Sequence, residues 1–368
     1  MYRRYERRGH ERSDMPSERA SQGSVPTIYD VAQHAGVSIS TVSLALNSPA
    51  RVRPATLARV QAAVRELGFV PKAEAAIRAR KGTRRIGVMG RFSAIPSESE
   101  RLGGLLAAAA EDGYEVVVYD QGTGAFNLSM VDSLSLSRKL DGLVLIDIPI
   151  TTGLAERLAE DEFPAVLVEY PRPGFSGVVT DNREGGRMIG RYLAERGHRR
   201  CAFLGLLAES EGSLGYPSLD EQRCDGFREG LAEAGLHLPD RYIARAPIPL
   251  SSRDLENYVL RDATQKAAHA LLDIDPPPSA IFANFDLLAA VVLDVARLRG
   301  LRVPQDLAVV GFDDNDFAAF LGLTTVRQHL VESGRVAFQL LRDHLDSKGP
   351  AIAKTVTLPL TLVSRNTA

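Results

Sequence analysis

Tryptophan is absent from this 368-residue sequence, and cysteine occurs only as Cys201 and Cys224. Two thiols so far apart form no CxxC pair. They are too few for a disulfide framework or a four-ligand zinc site, so they read as buried or incidental. No stretch approaches the roughly 18 apolar residues of a membrane span. Residues 1–26 carry charge throughout and lack the apolar core of a secretory signal, so a cytoplasmic location is expected. HExxH, GxSxG, GxxxxGK[ST] and GxGxxG are all missing, and the seven histidines are scattered. Asp313 and Asp314 are adjacent in sequence, which is not the facing arrangement that acid–base chemistry needs. Neither an enzyme nor a bound metal or cofactor is expected.

What is present is a globular composition, 45% hydrophobic and 24% charged, in a chain long enough for two or three cores. The net charge of −2 conceals an asymmetry. Residues 1–82 hold 14 Lys+Arg against 7 Asp+Glu, a net +7, which leaves −9 for the rest. One basic end on an acidic body suggests a polyanion partner for that end alone.

Four segments follow in order. Residues 1–26 are polar, arginine-rich and aperiodic, a disordered basic arm in which Met15 is an alternative start to Met1. Residues 27–71 contain three short helical patterns, TIYDVAQHA, SISTVSLALN and PATLARVQAAVRELG. Residues 72–84 form a basic, Ala-rich linker. From 85 to 368, apolar runs of strand length (RIGVMG, YEVVVYD, DGLVLID, PAVLVEY, RRCAFLG, SAIFAN, DLAVVGFDD) alternate with amphipathic helices. That alternation predicts parallel strands covered on both faces. About ten strands exceed one doubly wound sheet, so two lobes with a cleft between them are expected.

The segment TIYDVAQHAGVSISTVSLALN carries the most specific signal. Thr27 with Asp30 is a capping box after Pro26, and Gly36 suits a turn with positive φ. Ser38 can cap a second helix. With Val37 and Val42 inward, Ile39, Ser40, Thr41 and Leu44 project outward from a helix shaped for the major groove.

At these residues the chain resembles the LacI/GalR family of bacterial repressors. The pattern T-x-x-D-V-A-x-x-A-G-V-S-x-x-T-V-S stands at Thr27, Asp30, Val31, Ala32, Ala35, Gly36, Val37, Ser38, Thr41, Val42 and Ser43. Asn47 and ELGFVP (66–71) follow, and the likeness continues through DN (181–182), GH (197–198), GF (226–227), VVGFDD (309–314), TTVRQ (324–328) and LPLTLVSRNT (358–367). It implies an all-α helix-turn-helix domain joined to a two-lobed, periplasmic-binding-protein-like α/β domain. It also implies a homodimer on a near-palindromic duplex operator, with Ile39, Ser40 and Leu44 reading bases. Leu44 departs from the arginine frequent there and can meet only an apolar feature such as a thymine methyl. Phosphate contacts are expected from Thr27, Ser38, Thr41, Ser43, Asn47, Arg51 and Arg53, the last two being otherwise solvated surface. Leu57 stands where the family often has arginine. Where the family wedges a leucine into the minor groove, this chain has Arg78. Either Ile77 is the wedge after a shift of one residue, or Arg78 enters the groove without unstacking bases.

Ligands of such folds bind beyond the carboxyl ends of the strands. Arg91, Phe92 and Ser93 follow one strand, Phe285 and Asp286 another, and Asp313 a third. Arg223, Asp286 and Asp313 match polar anchors of the family. Carboxylates facing an arginine suit a sugar or another polyhydroxylated or zwitterionic metabolite. Phe92, Phe285 and Tyr216 either stack on a sugar face or belong to the core, and Asp314 is read as structural. The first lobe is expected at about 85–197 and 327–347, the second at about 198–326 and 348–368, with hinges near Gly197, Thr325 to Gln328 and Lys348. Dimer contacts are expected from the helices at 105–110 and 287–298. The rival reading is a solute-binding protein of the same two-lobed build, against which the helix-turn-helix argues.

Overall fold

The computed structural model describes residues 27–47, 52–67, 69, 83–121, 140–207, 216–247, 257–347 and 352–368. The chain divides into two compact units, Met1–Lys81 and Gly82–Ala368.

In the first unit three helices, α1 (Ile28–Ala35), α2 (Ile39–Asn47) and α3 (Pro54–Leu67), enclose a core of Val31, Ala32, Ala35, Val42, Ala45, Val60, Ala63 and Phe69. The alanines let the short helices approach closely. Gly36 closes α1 in the left-handed conformation, φ 62°, where a side chain would be strained. Leu57 packs against this core, which accounts for an apolar residue at that position.

The second unit holds two parallel sheets. The first runs β11-β5-β4-β3-β1-β2, built from β1 (Arg85–Gly90), β2 (Glu115–Asp120), β3 (Gly142–Ile146), β4 (Ala165–Val168), β5 (Ser176–Thr180) and β11 (Thr355–Leu358). Its central strands are buried on both faces. Val144, Ile146, Val166 and Val168 face α4 (Pro96–Glu111) and α11 (Leu330–Asp346), while Leu143, Leu145 and Leu167 face α5 (Thr152–Glu160). A strand without polar alternation is what such a doubly covered parallel sheet requires.

The second sheet runs β7-β6-β8-β9, with β6 (Cys201–Leu207), β7 (Ile243–Pro247), β8 (Ala280–Ala283) and β9 (Ala308–Val310). Around it lie α6 (Asn182–Glu195), α7 (Leu219–Glu233), α8 (Asn257–Leu272), α9 (Asp286–Leu298) and α10 (Asp316–Phe320). A short antiparallel pair, β10 (Thr325–Arg327) with β12 (Thr361–Val363), adjoins it.

Two expected boundaries shift. Helix α6 belongs to the second lobe, because Ile189, Tyr192 and Leu193 are buried in its core and not in the first. The first crossover therefore falls at Thr180 to Asn182, and Gly197, φ 87°, is a turn inside the second lobe. The segment after 348 does not lie wholly in the second lobe either. Strand β11 pairs in parallel with β5 at the edge of the first sheet before the chain returns to β12. The middle crossover falls at Gln328, between β10 and α11, and Lys348 is outside the described residues.

Candidate DNA and effector sites

In the helical unit, Asp30 Oδ2 accepts the Thr27 backbone N–H (2.6 Å) and the Thr27 hydroxyl (2.7 Å), which holds its pKa below the usual carboxylate value. Ser38 Oγ accepts the Thr41 N–H at 3.2 Å and contacts the Ser40 and Thr41 hydroxyls, capping α2 as the sequence predicts. Ile39 and Leu44 are 41% and 39% exposed. Ser40 is exposed with them, whereas Thr41 and Ser43 are half-buried. Arg53 is exposed immediately before α3. The backbone of Asn47 closes α2. Arg51, Ile77 and Arg78 lie outside the described residues.

In the two-lobed unit, the carboxyl ends of both sheets converge on a buried polar network. Arg223, on α7, donates from Nε to Asn182 Oδ1 (2.7 Å) and from Nη1 to the Asn284 carbonyl (2.6 Å), and its guanidinium lies 3.9 Å from the Phe312 ring centre. Asn182 Nδ2 donates to Glu169 Oε2 at 3.3 Å. Glu169, at the end of β4, also accepts Arg101 Nη2 (2.5 Å) and the Thr180 hydroxyl (2.7 Å). Arg101 reaches Gln328 Oε1 at 2.9 Å, and Gln328 Nε2 donates to Asp313 Oδ1. Hydrogen bonds thus run from helix α4 of the first lobe to Arg223 and Asp313 of the second, through the crossovers at Asn182 and Gln328.

Burial pushes the Asp313 carboxyl up to about 7, against the opposing charges of Arg223 and Arg101. Asp286 is raised well above its ordinary value by burial and then by Asp313.

The expected effector residues separate into groups. Arg223 and Asp313 meet in this network. Asp286 lies beside it, but its two oxygens accept the Thr325 hydroxyl (2.6 Å) and the Asn315 N–H (2.8 Å), so it fastens β10 and the loop after β9 to α9. Phe285 is the half-buried N-cap of α9, packed on the second-lobe core. Arg91 lies in the first-lobe wall, donating to Glu98 and Asp147. Phe92 and Ser93 line a separate hollow of about 740 Å³ with Leu260, Val291, Phe317 and Phe320. Asp314 binds Arg327 (2.7 Å) and Arg365 (2.6 Å) and is structural, as read from the sequence.

Sequence reasoning missed Arg101, Glu98, Asp147, Glu169 and Asn284, and it singled out Gln328 only as part of a hinge. The strand-end rule applied to DGLVLID and PAVLVEY would have found Asp147 and Glu169. Glu98 and Arg101, three apart on an amphipathic helix, look like a solvated face, yet they are 0% and 3% exposed.

The lobes also touch directly. Glu100 of α4 accepts Asn315 Nδ2 (2.9 Å) and the Asp316 N–H (3.1 Å). Tyr216, before α7, donates to the Ile150 carbonyl at 3.3 Å and meets Tyr170 edge-on at 5.4 Å.

Residues 27–72 match the family of bacterial regulatory proteins of the lacI type, and residues 190–368 match a periplasmic binding protein-like domain. The HTH-type transcriptional repressor CytR of Escherichia coli (strain K12) is 31% identical over 333 residues, covering 89% of this chain and 92% of CytR. The chain belongs to the LacI family. The HTH-type transcriptional repressor PurR of Yersinia pestis (strain Pestoides F) is likewise 31% identical over 329 residues, with 88% and 91% covered. Among solved structures, a transcriptional regulator CelR–cellobiose complex superposes with a TM-score of 0.66 at 28% identity, covering 93% of this chain and 100% of that one. This LacI-family chain is therefore a DNA-binding transcriptional regulator with a two-lobed effector domain, from a family of repressors and not of enzymes. Among the described residues, no helix is long and apolar enough to cross a membrane.

Proposed function

We propose that this LacI-family regulator is a cytoplasmic homodimeric repressor that binds a near-palindromic operator and is controlled by a sugar-like effector held at Arg223 and Asp313. The observation that carries the effector half is the buried hydrogen-bond network around those two residues, which reaches both lobes across the crossovers. A ligand at its centre changes the balance between lobe arrangements in proportion to its differential affinity for them. The cellobiose held by the CelR structure supports a sugar-like ligand here.

On the DNA side, Ile39, Ser40 and Leu44 would read bases, while Thr27, Ser38, Thr41, Ser43, Asn47, Arg51 and Arg53 would meet phosphates. Ile77 or Arg78 would lie over the minor groove. Exposed apolar side chains support dimerisation through the two lobes: Leu106 on α4, Val118 on β2, Leu298 on α9 and Phe320, 90% exposed, on α10.

The test is fluorescence anisotropy of the full chain on duplexes selected from random DNA, repeated with a sugar panel and with Arg223→Ala. Tight, selective binding that one sugar alters, and that Arg223→Ala renders indifferent to that sugar, supports the reading. Weak binding indifferent to sequence overturns it.

A further inference from the structure

The first-lobe wall of the cleft contains two carboxyls and one guanidinium. Arg91, directly after β1, donates its backbone N–H (2.5 Å) and Nε (2.9 Å) to Glu98, and its Nη2 lies 2.9 Å from Glu98 Oε1 and 2.5 Å from Asp147 Oδ2. One nitrogen thus serves both carboxyls, which draws them together. Glu98 is fully buried; the Asp147 side chain is 17% exposed and stands at the end of β3. Asp147 Oδ1 has no hydrogen-bond partner among the described residues, although it is shut off from solvent. At the end of β2, on the other side of β1, Gln121 Nε2 is likewise buried and unpartnered among the described residues.

Two facing carboxyls with one cation cannot both ionise without an uncompensated buried charge. Burial raises Glu98 to about 8, with the like charge of Asp147 and a hydrogen bond shared with its side chain adding to the rise, although Arg91 opposes it. The wall thus has one negative charge too many, or holds a proton to relieve it. With the proton on Glu98 the group is neutral overall, and Asp147 presents the remaining carboxylate, which accepts a hydrogen-bond donor and opposes an anion set directly against it. Across the cleft the balance is reversed. Arg223 brings its positive charge there, with Nε on Asn182 and Nη1 on the Asn284 carbonyl.

The geometry points to Asp147, backed by Glu98 and held by Arg91, as the specificity determinant of the first-lobe wall: it admits an effector that presents hydroxyl or amine donors there and excludes one that presents a phosphate or carboxylate. This inference rests on the effector reading above and sharpens it, since it assigns the ligand a donor end toward Asp147 and an acceptor end toward Arg223.

The test compares matched neutral and anionic probes on the full-length protein by thermal shift and calorimetry: glucose with glucuronate, cellobiose with cellobionate, and ribose with ribose 5-phosphate. At least one neutral probe is expected to raise Tm while its anionic counterpart does not. Asp147→Asn, which keeps the shape and removes the charge, is expected to reduce the neutral-to-anionic affinity ratio at least tenfold. Glu98→Gln, which keeps Asp147 in place, retains the neutral probe and reports on the wall if the Asn variant does not fold. A loss of affinity with an unchanged ratio would show a merely structural role and overturn the inference. So would an anionic probe that binds as well as its neutral partner in the unaltered protein. No response to any pair would instead sink the effector reading, and the inference with it.

Discussion

Gly186 lies so close beneath Arg223 that a Cβ at position 186 would stand 2.0 Å from the Arg223 carbonyl oxygen. The contact is reciprocal, since a Cβ on Gly226 would stand 1.8 Å from the Arg183 carbonyl. In the first lobe, a Cβ on Gly334 would stand 1.8 Å from the Arg101 carbonyl oxygen, and one on Gly104 would stand 1.9 Å from that of Val331. Each lobe therefore seats its buried arginine on a helix pair that crosses at glycines, backbone against backbone.

Gly186→Ala is accordingly expected to force α6 and α7 apart. Overpacking of this kind costs typically about 1–3 kcal/mol, and here no flexible side chain can yield. Urea unfolding reads the loss of stability, and Arg223 is expected to lose effector response beyond what stability explains. Wild-type stability in the alanine variant would show that the helices adjust freely.

Breaking the Arg101–Glu169 pair should be among the more damaging polar changes in the chain. Both side chains are less than 5% exposed, and removal of one partner of a buried pair costs about 3–5 kcal/mol. Arg101→Met and Glu169→Gln are each expected to lower the urea midpoint, while the double variant loses less than the two singles combined. Additive losses in this double-mutant cycle would show that the two side chains do not act as a pair.

Stability should fall as pH rises from 6.5 toward 8. Unfolded Glu98 and Asp313 ionise near 4.5 and 3.8, whereas in the fold they hold protons to about 8 and about 7. Between those limits the native state binds more protons than the unfolded state, so raising the pH favours unfolding, and the slope levels above 8. The histidines His198 and His344, whose folded pKa values are lowered by burial, act mainly below 6.5. Urea midpoints across pH 6.5–8.5 check this, and Glu98→Gln should flatten the curve. A stability that rises with pH over this window would contradict the assignment.

Leu44→Arg is expected to change which base pair is preferred at one position of each half-site. Leucine offers only apolar contact, whereas arginine makes a bidentate bond to guanine that is worth about 1–3 kcal/mol of discrimination. Selection from random duplexes with both proteins reads the change. Ser38→Ala should weaken all duplexes alike while costing about 1 kcal/mol of stability through loss of the α2 cap.

Operator affinity should also drop steeply with salt. A dimer that neutralises six or more phosphates loses about three to five powers of ten between 50 and 200 mM salt. Anisotropy titrations at several ionic strengths measure the slope, and a flat response would remove phosphate contact from the account.

The helix-turn-helix and the alternating parallel sheets were legible because local chemistry decides them: a capping serine, a glycine at positive φ, and strands apolar on both faces. The path between the lobes was not. GRMIGRYLAERG reads as an ordinary amphipathic helix, and only packing of its glycines against α7 assigns it to the second lobe. Strand β11, TVTL, is short and its pairing with β5 spans a separation in sequence that no local pattern records. The proposed effector site was half legible. Arg223 and Asp313 stood out by resemblance, but Asp286 looked like a ligand until its bonds to Thr325 and Asn315 were visible. Buried Arg101 and Glu98 looked like surface, because helical spacing gives the period of a face and not the depth at which it lies.

Strand β11 has a consequence for synthesis. The first sheet acquires its sixth strand only after residues 355–358 emerge. The second lobe receives the Thr367 hydroxyl, which donates to the Val309 carbonyl at 2.7 Å, later still. During translation both lobes therefore wait with an open seam for the same closing stretch of chain. Whatever guards those seams on the ribosome has to guard the first from the emergence of β5 and the second only from that of β9, and both are then sealed within a few residues of each other.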